Sequence, residues 1–200
     1  MADFTRIFIP LFFILFFLTE FLGMSAIVAR KTGKNPNVFS KDDSAYSLIG
    51  KYFKLTLLFL FLYTVLFFLF PEIIYESFKI NILDLFFFKL TGILLMLTGW
   101  IWVLIAQYYM KNSWRIGIDK SSPTALVTIG LFKYSRNPVF LGMMMSLTGL
   151  LFSLPNFISL VFLLVGTLLM QIQIRLEEEF LLKQHGSVYS DYKKRVRRFI

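Results

Sequence analysis

The sequence predicts an all-α, polytopic integral membrane protein: a helical bundle of about five transmembrane helices, with a C-terminal helical hairpin and a cytoplasmic amphipathic tail. Three observations carry this expectation. Hydrophobic residues make up 57% of the 200, Phe alone contributes 25, and charged residues are only 16%, against roughly 25% in soluble domains. The apolar residues fall in long charge-free runs of the ~20 residues that an ~30 Å hydrocarbon core demands. The basic residues, which set a net charge of +9, sit in short segments beside those runs, as cytoplasmic loops do. That placement points to the lipid bilayer, and no nucleic acid is expected as a partner. With no Cys and a single His, His185, the chain can build no disulfide, thiol nucleophile, Cys-based zinc site or multi-His metal centre.

The first span is read at Ile7–Val28, about 22 residues, too long for the ~7–15-residue core of a signal peptide. A basic loop follows, with Gly33, Pro36, Asp42 and Asp43 as turn or cap signals. The second span is Tyr52–Phe70, stopped by Pro71, and the third is Leu85–Tyr109, where Lys89 can snorkel to the interface. These spans make residues 1–107 an N-terminal transmembrane region. Residues 108–200 form a second region, which starts with a polar segment punctuated by Asn112, Ser113, Gly117, Ser121, Ser122, Pro123 and Gly130. From Val139 to Ile174 there are 36 residues without a charge. Pro155 and Asn156 divide them into a hairpin, Val139–Leu154 and Phe157–Ile174, whose short arms imply tilt or partial insertion. The tail Arg175–Ile200 is charged.

Orientation follows from Lys and Arg. Five spans with the N-terminus outside and the C-terminus cytoplasmic put 18 of the 21 basic residues inside and leave Arg6, Lys79 and Lys89 opposite. The expected location is a cell inner membrane. The loop that ends at Arg136 and the charged tail then share the cytoplasmic face.

Two segments carry chemistry. The first runs from Gly130 through Tyr134, Arg136, Asn137, Pro138, Phe140 and Leu141 to Gly142. Pro138 suits the first turn of the next helix and Asn137 is a plausible N-cap. Free N–H groups at that helix start, beside Arg136, suit an anion such as a carboxylate or phosphate. The second segment is Arg175-Leu176-Glu177-Glu178-Glu179, followed by Gly186, Tyr189, Tyr192 and the basic run Arg195–Arg198. Adjacent helical residues point about 100° apart, so at most one or two of the three carboxylates can face one site. An Arg175–Glu179 pair at i, i+4 would leave Glu177 and Glu178 to bind a cation.

Together, Arg-Asn-Pro-x-Phe-x-Gly, the apolar hairpin, Glu-Glu and Gly-x-x-Tyr-x-x-Tyr resemble the isoprenylcysteine carboxyl methyltransferases and their phospholipid methyltransferase relatives. Arg136, Asn137 and Pro138 match the motif that opens the hairpin in that family, with Phe140 where Tyr is usual. Glu177 and Glu178 match its acidic pair, and Gly186, Tyr189 and Tyr192 its tail, continued by Lys193–Val196. Asn112, Ser113, Trp114 and Leu126–Tyr134 fit its preceding loop. The resemblance covers about residues 108–200. It implies S-adenosyl-L-methionine as cofactor and a lipid-like or prenylated methyl acceptor. It assigns cofactor contacts to Tyr134, Arg136, Asn137, Pro138, Phe140, Leu141, Glu177, Glu178 and Tyr189, and catalytic roles to Arg136, Glu178, Tyr192 and Arg195. Phe140, Tyr134 or Trp114 would wall the adenine. Arg195 or Arg198 would hold an anionic substrate head. The alternatives are an NADPH-dependent enzyme like the sterol reductases and a non-catalytic membrane protein that kept the fold.

Outside these segments the expectations are structural. Glu20 lies in the cytoplasmic half of its span, where snorkelling or pairing can account for it. Gly92, Gly99 and Gly142 allow close helix contact. Trp100, Trp102 and the methionines Met143–Met145 are read as packing or lipid-facing residues, and His185 as a surface residue of the tail.

Overall fold

The computed structural model describes residues 2–33, 44–76, 78–115 and 125–200. The expected turn signals at Pro36, Asp42, Asp43, Gly117, Ser121, Ser122 and Pro123, and the basic residues Lys34, Lys41 and Lys120, lie outside the described residues. What is described is an all-α membrane bundle. Helix α1 (Ala2–Phe17) passes through a π-helical turn, Leu18–Gly23, into α2 (Met24–Thr32). Then come α3 (Ala45–Leu69), a short α4 (Pro71–Glu76), α5 (Phe86–Met110), α6 (Pro138–Ser153), α7 (Phe157–His185) and α8 (Ser187–Arg195). Four helical stretches are long and apolar enough to cross a membrane: Asp3–Thr32, Ala45–Leu69, Phe86–Met110 and Phe157–His185. The fifth, α6, is shorter.

Several helices exceed their expected bounds. The first stretch starts near Ala2 rather than Ile7 and ends at Gly33, whose φ of 66° lets the chain turn. Helix α3 begins at Ala45 rather than Tyr52, because Ser44 caps it by accepting from Ser47 N–H at 3.4 Å. Helix α7 does not stop at Ile174. Its charged continuation is rich in Leu, Glu and Lys, which favour helix, and it runs to Gly186, whose φ of 54° ends it. The tail is therefore not one amphipathic segment from Arg175 but about three turns of α7, the separate α8 and an extended end.

The hairpin breaks at Pro155 and Asn156 as expected. At ~1.5 Å per residue, α6 reaches only about 24 Å, less than a bilayer core. Its far end is closed inside the protein. Asn156 is fully buried, accepts from Tyr63 Oη–H (3.0 Å) and Ser159 N–H (2.9 Å), and donates to the Ile74 carbonyl (3.1 Å). Residues 78–84 fold over it: Ile80 N–H bonds the Pro155 carbonyl and Phe157 N–H the Phe78 carbonyl. These bonds satisfy backbone groups at the buried end of the hairpin without water, as a bilayer requires. Lys89 reaches this end of the bundle by pairing with Asp84 at 2.5 Å, and Lys79 joins from the loop at 2.7 Å. Burial raises the Asp84 pKa, but hydrogen bonds from Lys79, Lys89 and Tyr75 outweigh it and hold it at about 2.

Helices α5 and α6 make the closest packing in the bundle. Gly92 faces Gly149 and Gly99 faces Gly142, so each antiparallel pair sets backbone against backbone. A methyl group on any of the four would lie 2.5–2.7 Å from the facing carbonyl oxygen. The core beside this seam is Phe12, Phe13 and Phe16 of α1, Leu60 and Phe67 of α3, Met96 and Val103 of α5, and Leu150 of α6. The outward faces carry the large exposed apolar residues that lipid would cover.

The seam makes a direct prediction. Gly99→Val or Gly149→Val forces α5 and α6 apart and costs about 1–3 kcal/mol or more. Detergent-solubilised variants should melt several degrees below the wild type, whereas Leu94→Ala on the lipid face should not. Equal melting of all three would remove the seam from this account.

Candidate functional site

The tail folds back onto the loop before α6, and one carboxylate organises the junction. Glu178 is buried on α7. Its Oε1 accepts from Arg136 Nη2 at 2.9 Å and from Arg136 Nε at 3.3 Å. From the other side, Arg198 donates Nη2 to Oε2 at 2.7 Å and Nε to Oε1 at 3.1 Å. Arg136 also donates Nη1 to the carbonyls of Lys193 (3.1 Å) and Val196. Backbone and side chains extend the clamp. Arg136 N–H bonds the Arg197 carbonyl at 3.0 Å, and the Arg198 carbonyl accepts from Ser135 Oγ (3.3 Å) and Asn137 Nδ2 (3.1 Å). The Tyr192 hydroxyl donates to the Phe132 carbonyl at 2.7 Å, with the buried Tyr189 ring packed beside it. Burial, and then the charge of Glu178, pushes the Tyr189 phenol up to about 12, so it stays neutral.

The loop has its own requirement. Gly130 has φ 61°, and a Cβ there would sit 2.3 Å from the Tyr109 ring. Only glycine lets the loop cross the end of α5 and deliver Phe132 and Arg136 to the clamp.

Above the clamp lies a cavity of about 360 Å³, within the range of small-ligand sites. Phe16, Phe17, Glu20 and Phe21 of the first helical stretch form one wall, with Tyr46, Phe53 and Lys54 of α3 beside them. Gln107 of α5, then Trp114 and Arg115, form a second. Arg136, Asn137, Pro138, Phe140, Gln173 and Glu177 complete it. A smaller apolar void continues into the bundle, and Phe16, Phe17, Phe53, Leu57 and Met143 line both.

The structure sorts the expected site residues into three sets. Arg136, Asn137, Pro138, Phe140 and Glu177 line the cavity. Glu178, Tyr189 and Tyr192 belong to the clamp. Tyr134 is 67% exposed, Arg195 is exposed and bonds the Asp191 carbonyl, and Leu141 is not among the lining residues. The adjacent acids diverge as helical geometry requires: Glu177 turns to the cavity, accepting from Gln173 Nε2 at 2.8 Å, and Glu178 to the clamp. Two local expectations are corrected. Asn137 occupies the N-cap position of α6 but makes no capping bond, because its amide is given to Arg198. Glu179 pairs with Lys183 at 2.6 Å rather than with Arg175, since Lys183 lies one turn ahead on the solvent side.

Sequence reasoning undervalued the contribution of the first helical stretch and α5. Glu20 does not snorkel. It is 1% exposed, and neither carboxylate oxygen meets a hydrogen-bond partner among the described residues. Gln107 Oε1 and Trp114 Nε1 are likewise buried without a partner. All three residues line the cavity. An isolated acid in an apolar run was the available signal for Glu20; Gln107 had none.

Residues 87–188, just over half of the chain, match the family model described as phospholipid methyltransferase. The chain belongs to the phospholipid methyltransferase family. It is also 29% identical over 135 residues to the protein-S-isoprenylcysteine O-methyltransferase of Saccharomyces cerevisiae, an alignment covering 62% of this chain and 56% of the yeast protein. The chain thus spans a little over half the length of that relative. The family match takes in α5, α6 and α7, with Arg136, Asn137, Pro138, Glu177 and Glu178. It leaves out Glu20 at one end and Tyr189, Tyr192 and Arg198 at the other.

The clamp predicts strong coupling. Glu178→Ala leaves the buried Arg136 guanidinium without its counter-ion, at a cost of about 3–5 kcal/mol, whereas Arg136→Ala leaves Glu178 paired with Arg198 alone and costs less. The double variant should lose clearly less than the sum of the single losses, read as thermal midpoints. Trypsin should cut the single variants faster at Lys193, Lys194 and Arg195. Additive losses with an unchanged cleavage rate would mean that the clamp does not hold the tail.

Proposed function

We propose that the protein is an integral membrane methyltransferase that uses S-adenosyl-L-methionine and acts on a lipid-like or prenylated substrate. The observation that carries this reading is the cavity itself. It is lined by the family's motif residues, walled by aromatic rings, and holds buried polar atoms that meet no protein partner among the described residues. Those atoms fit the cofactor by their chemistry. The Glu177 and Glu20 carboxylates suit an ammonium or ribose hydroxyls, the Trp114 indole N–H suits an acceptor, and the Phe140 and Trp114 rings suit an adenine. Aromatic faces also suit a positively charged sulfur. When bound, S-adenosyl-L-methionine supplies a methyl group made electrophilic by that sulfonium.

The roles of the protein's own residues follow. Glu178 is engaged on both oxygens by Arg136 and Arg198, so its part in this reading is to fix the floor of the site rather than to move a proton. Arg136 gives its guanidinium to Glu178 and to two carbonyls of the tail, and it contributes a positive field more than a free donor. Tyr192 and Tyr189 hold α8 in place. The Phe16, Phe17, Phe53 and Leu57 side chains exclude water, which strengthens the alignment on which methyl transfer depends. The smaller apolar void lined by some of the same residues, about 40 Å³, marks the direction in which the site would have to widen to take an apolar tail arriving from the bilayer. In this reading the clamp faces the cytoplasm, where the soluble cofactor is found. The N-terminus is outside, and the membrane is a cell inner membrane.

Calorimetry on detergent-purified protein tests this. S-adenosylmethionine and S-adenosylhomocysteine should bind saturably. Glu177→Gln and Trp114→Leu should each weaken binding about tenfold or more, as expected for a lost charged hydrogen bond or a lost stacking wall. Glu178→Ala should abolish binding by releasing the tail. A folded wild type that binds neither compound overturns the reading.

A further inference from the structure

Glu20 is the cavity residue that neither the clamp nor the family's motifs account for. A carboxylate sealed from water without a hydrogen bond is costly, and an ionisable group at this depth of a membrane helix marks function. The backbone around it is unusual as well. Leu18–Gly23 is a π-helical turn between two α-helices, a rare feature concentrated at functional sites.

The neighbours of Glu20 are pinned, and the Trp100 indole beside its carboxylate is committed to Thr19. Gln107 donates Nε2 to the Glu20 main-chain carbonyl at 3.0 Å, and the Trp100 indole donates to Thr19 Oγ1 at 3.0 Å. The turn is thereby fixed from α5. Lys54, Arg115 and Arg136 line the same cavity, and among the described residues none of them donates to Glu20. On the wall built by the first helical stretch and α5, the groups left over are both Glu20 carboxylate oxygens and Gln107 Oε1, which are acceptors only; the Trp114 indole N–H, a donor, stands on the loop beyond α5. An ammonium brings three donors and no acceptor. An anionic group there would meet like charge instead. The Phe16, Phe17 and Phe21 rings on the same wall suit a cation as well.

We infer that Glu20 and Gln107 form the seat of a primary ammonium group carried by the ligand of this cavity, with the Glu20 carboxylate as its counter-ion. This rests on the cavity being the ligand site proposed above. The ammonium belongs either to the amino-acid end of the cofactor or to an amphiphilic amine acting as methyl acceptor. In both cases the N-terminal helix, outside the family-matched region, takes part in recognition.

The test uses the full chain in detergent, as wild type and Glu20→Gln, and two pairs of probes. One pair is S-adenosylhomocysteine and its analogue lacking the α-amino group. The other is dodecylamine and dodecanol. In one pair the wild type should prefer the amine about tenfold or more, and Glu20→Gln should erase that preference while binding the amine-free probe within about twofold. The pair that responds identifies the source of the ammonium. Equal preference in both proteins, or no preference in either pair, overturns the inference. Without ligand, Glu20→Gln should melt no lower than the wild type, because it replaces an unpartnered buried acid by a neutral amide of the same shape. A fall of several degrees, or failure to fold, would mean that Glu20 has a structural partner, and would also overturn it. The two proposals can fail separately. A Glu20-dependent dodecylamine preference without cofactor binding sinks only the methyl-donor reading, and cofactor binding indifferent to Glu20 sinks only this one.

Discussion

The Glu178 carboxylate receives two guanidiniums, one from the loop that opens α6 and one from the last residues of the chain. Everything at this end of the bundle is tied to that arrangement. Arg136 reaches on to the Lys193 and Val196 carbonyls, so one cation closes the end of α8 that its own helix leaves unsatisfied. Removing the carboxylate strands two guanidiniums, one of them in a poorly hydrated place, which is why Glu178 ties loop, helix and tail into one arrangement even where the net energy of the network is small. The floor of the cavity exists because this clamp does.

A second constraint acts from within the bilayer. Backbone groups there have no water to fall back on, and α6 is too short to span. The bundle meets this in two ways. The Gly92–Gly149 and Gly99–Gly142 contacts hold α6 directly on α5, and the buried Asn156, with Tyr63 and Ser159, closes the hairpin below the surface. The short helix also sets the depth of its own first turn, since its far end is fixed. Pro138 and Phe140 therefore meet the cavity at a defined level beside Val103 and Gln107 of α5.

These constraints leave the cavity with an uneven distribution of polarity. Its floor is a satisfied ionic network, its outer reach is apolar and continuous with the bundle interior, and its far wall carries Glu20, Gln107 and Trp114 with unused hydrogen-bonding capacity. A site of that kind suits a ligand with a polar, partly cationic head and an apolar partner beside it. The family resemblance and the physical chemistry of the walls support the same reading.

Much of this was legible in the residues alone. Charge-free runs, Pro155-Asn156 and the clustering of Lys and Arg determined the helices, the hairpin and the end of the bundle where chemistry gathers, because burial in lipid leaves little choice of residue. The pairing of Arg-Asn-Pro with Glu-Glu also marked Arg136, Glu177 and Glu178. Tertiary structure alone decided their division of labour. Glu177 and Glu178 are indistinguishable as neighbours in sequence, and only the rotation of α7 against the loop sends one to the cavity and the other to the clamp. The same holds for Glu20 and Gln107, 87 residues apart. No local pattern encodes their meeting, since it depends on how α1, its π-turn and α5 pack, and packing is settled by the whole bundle at once.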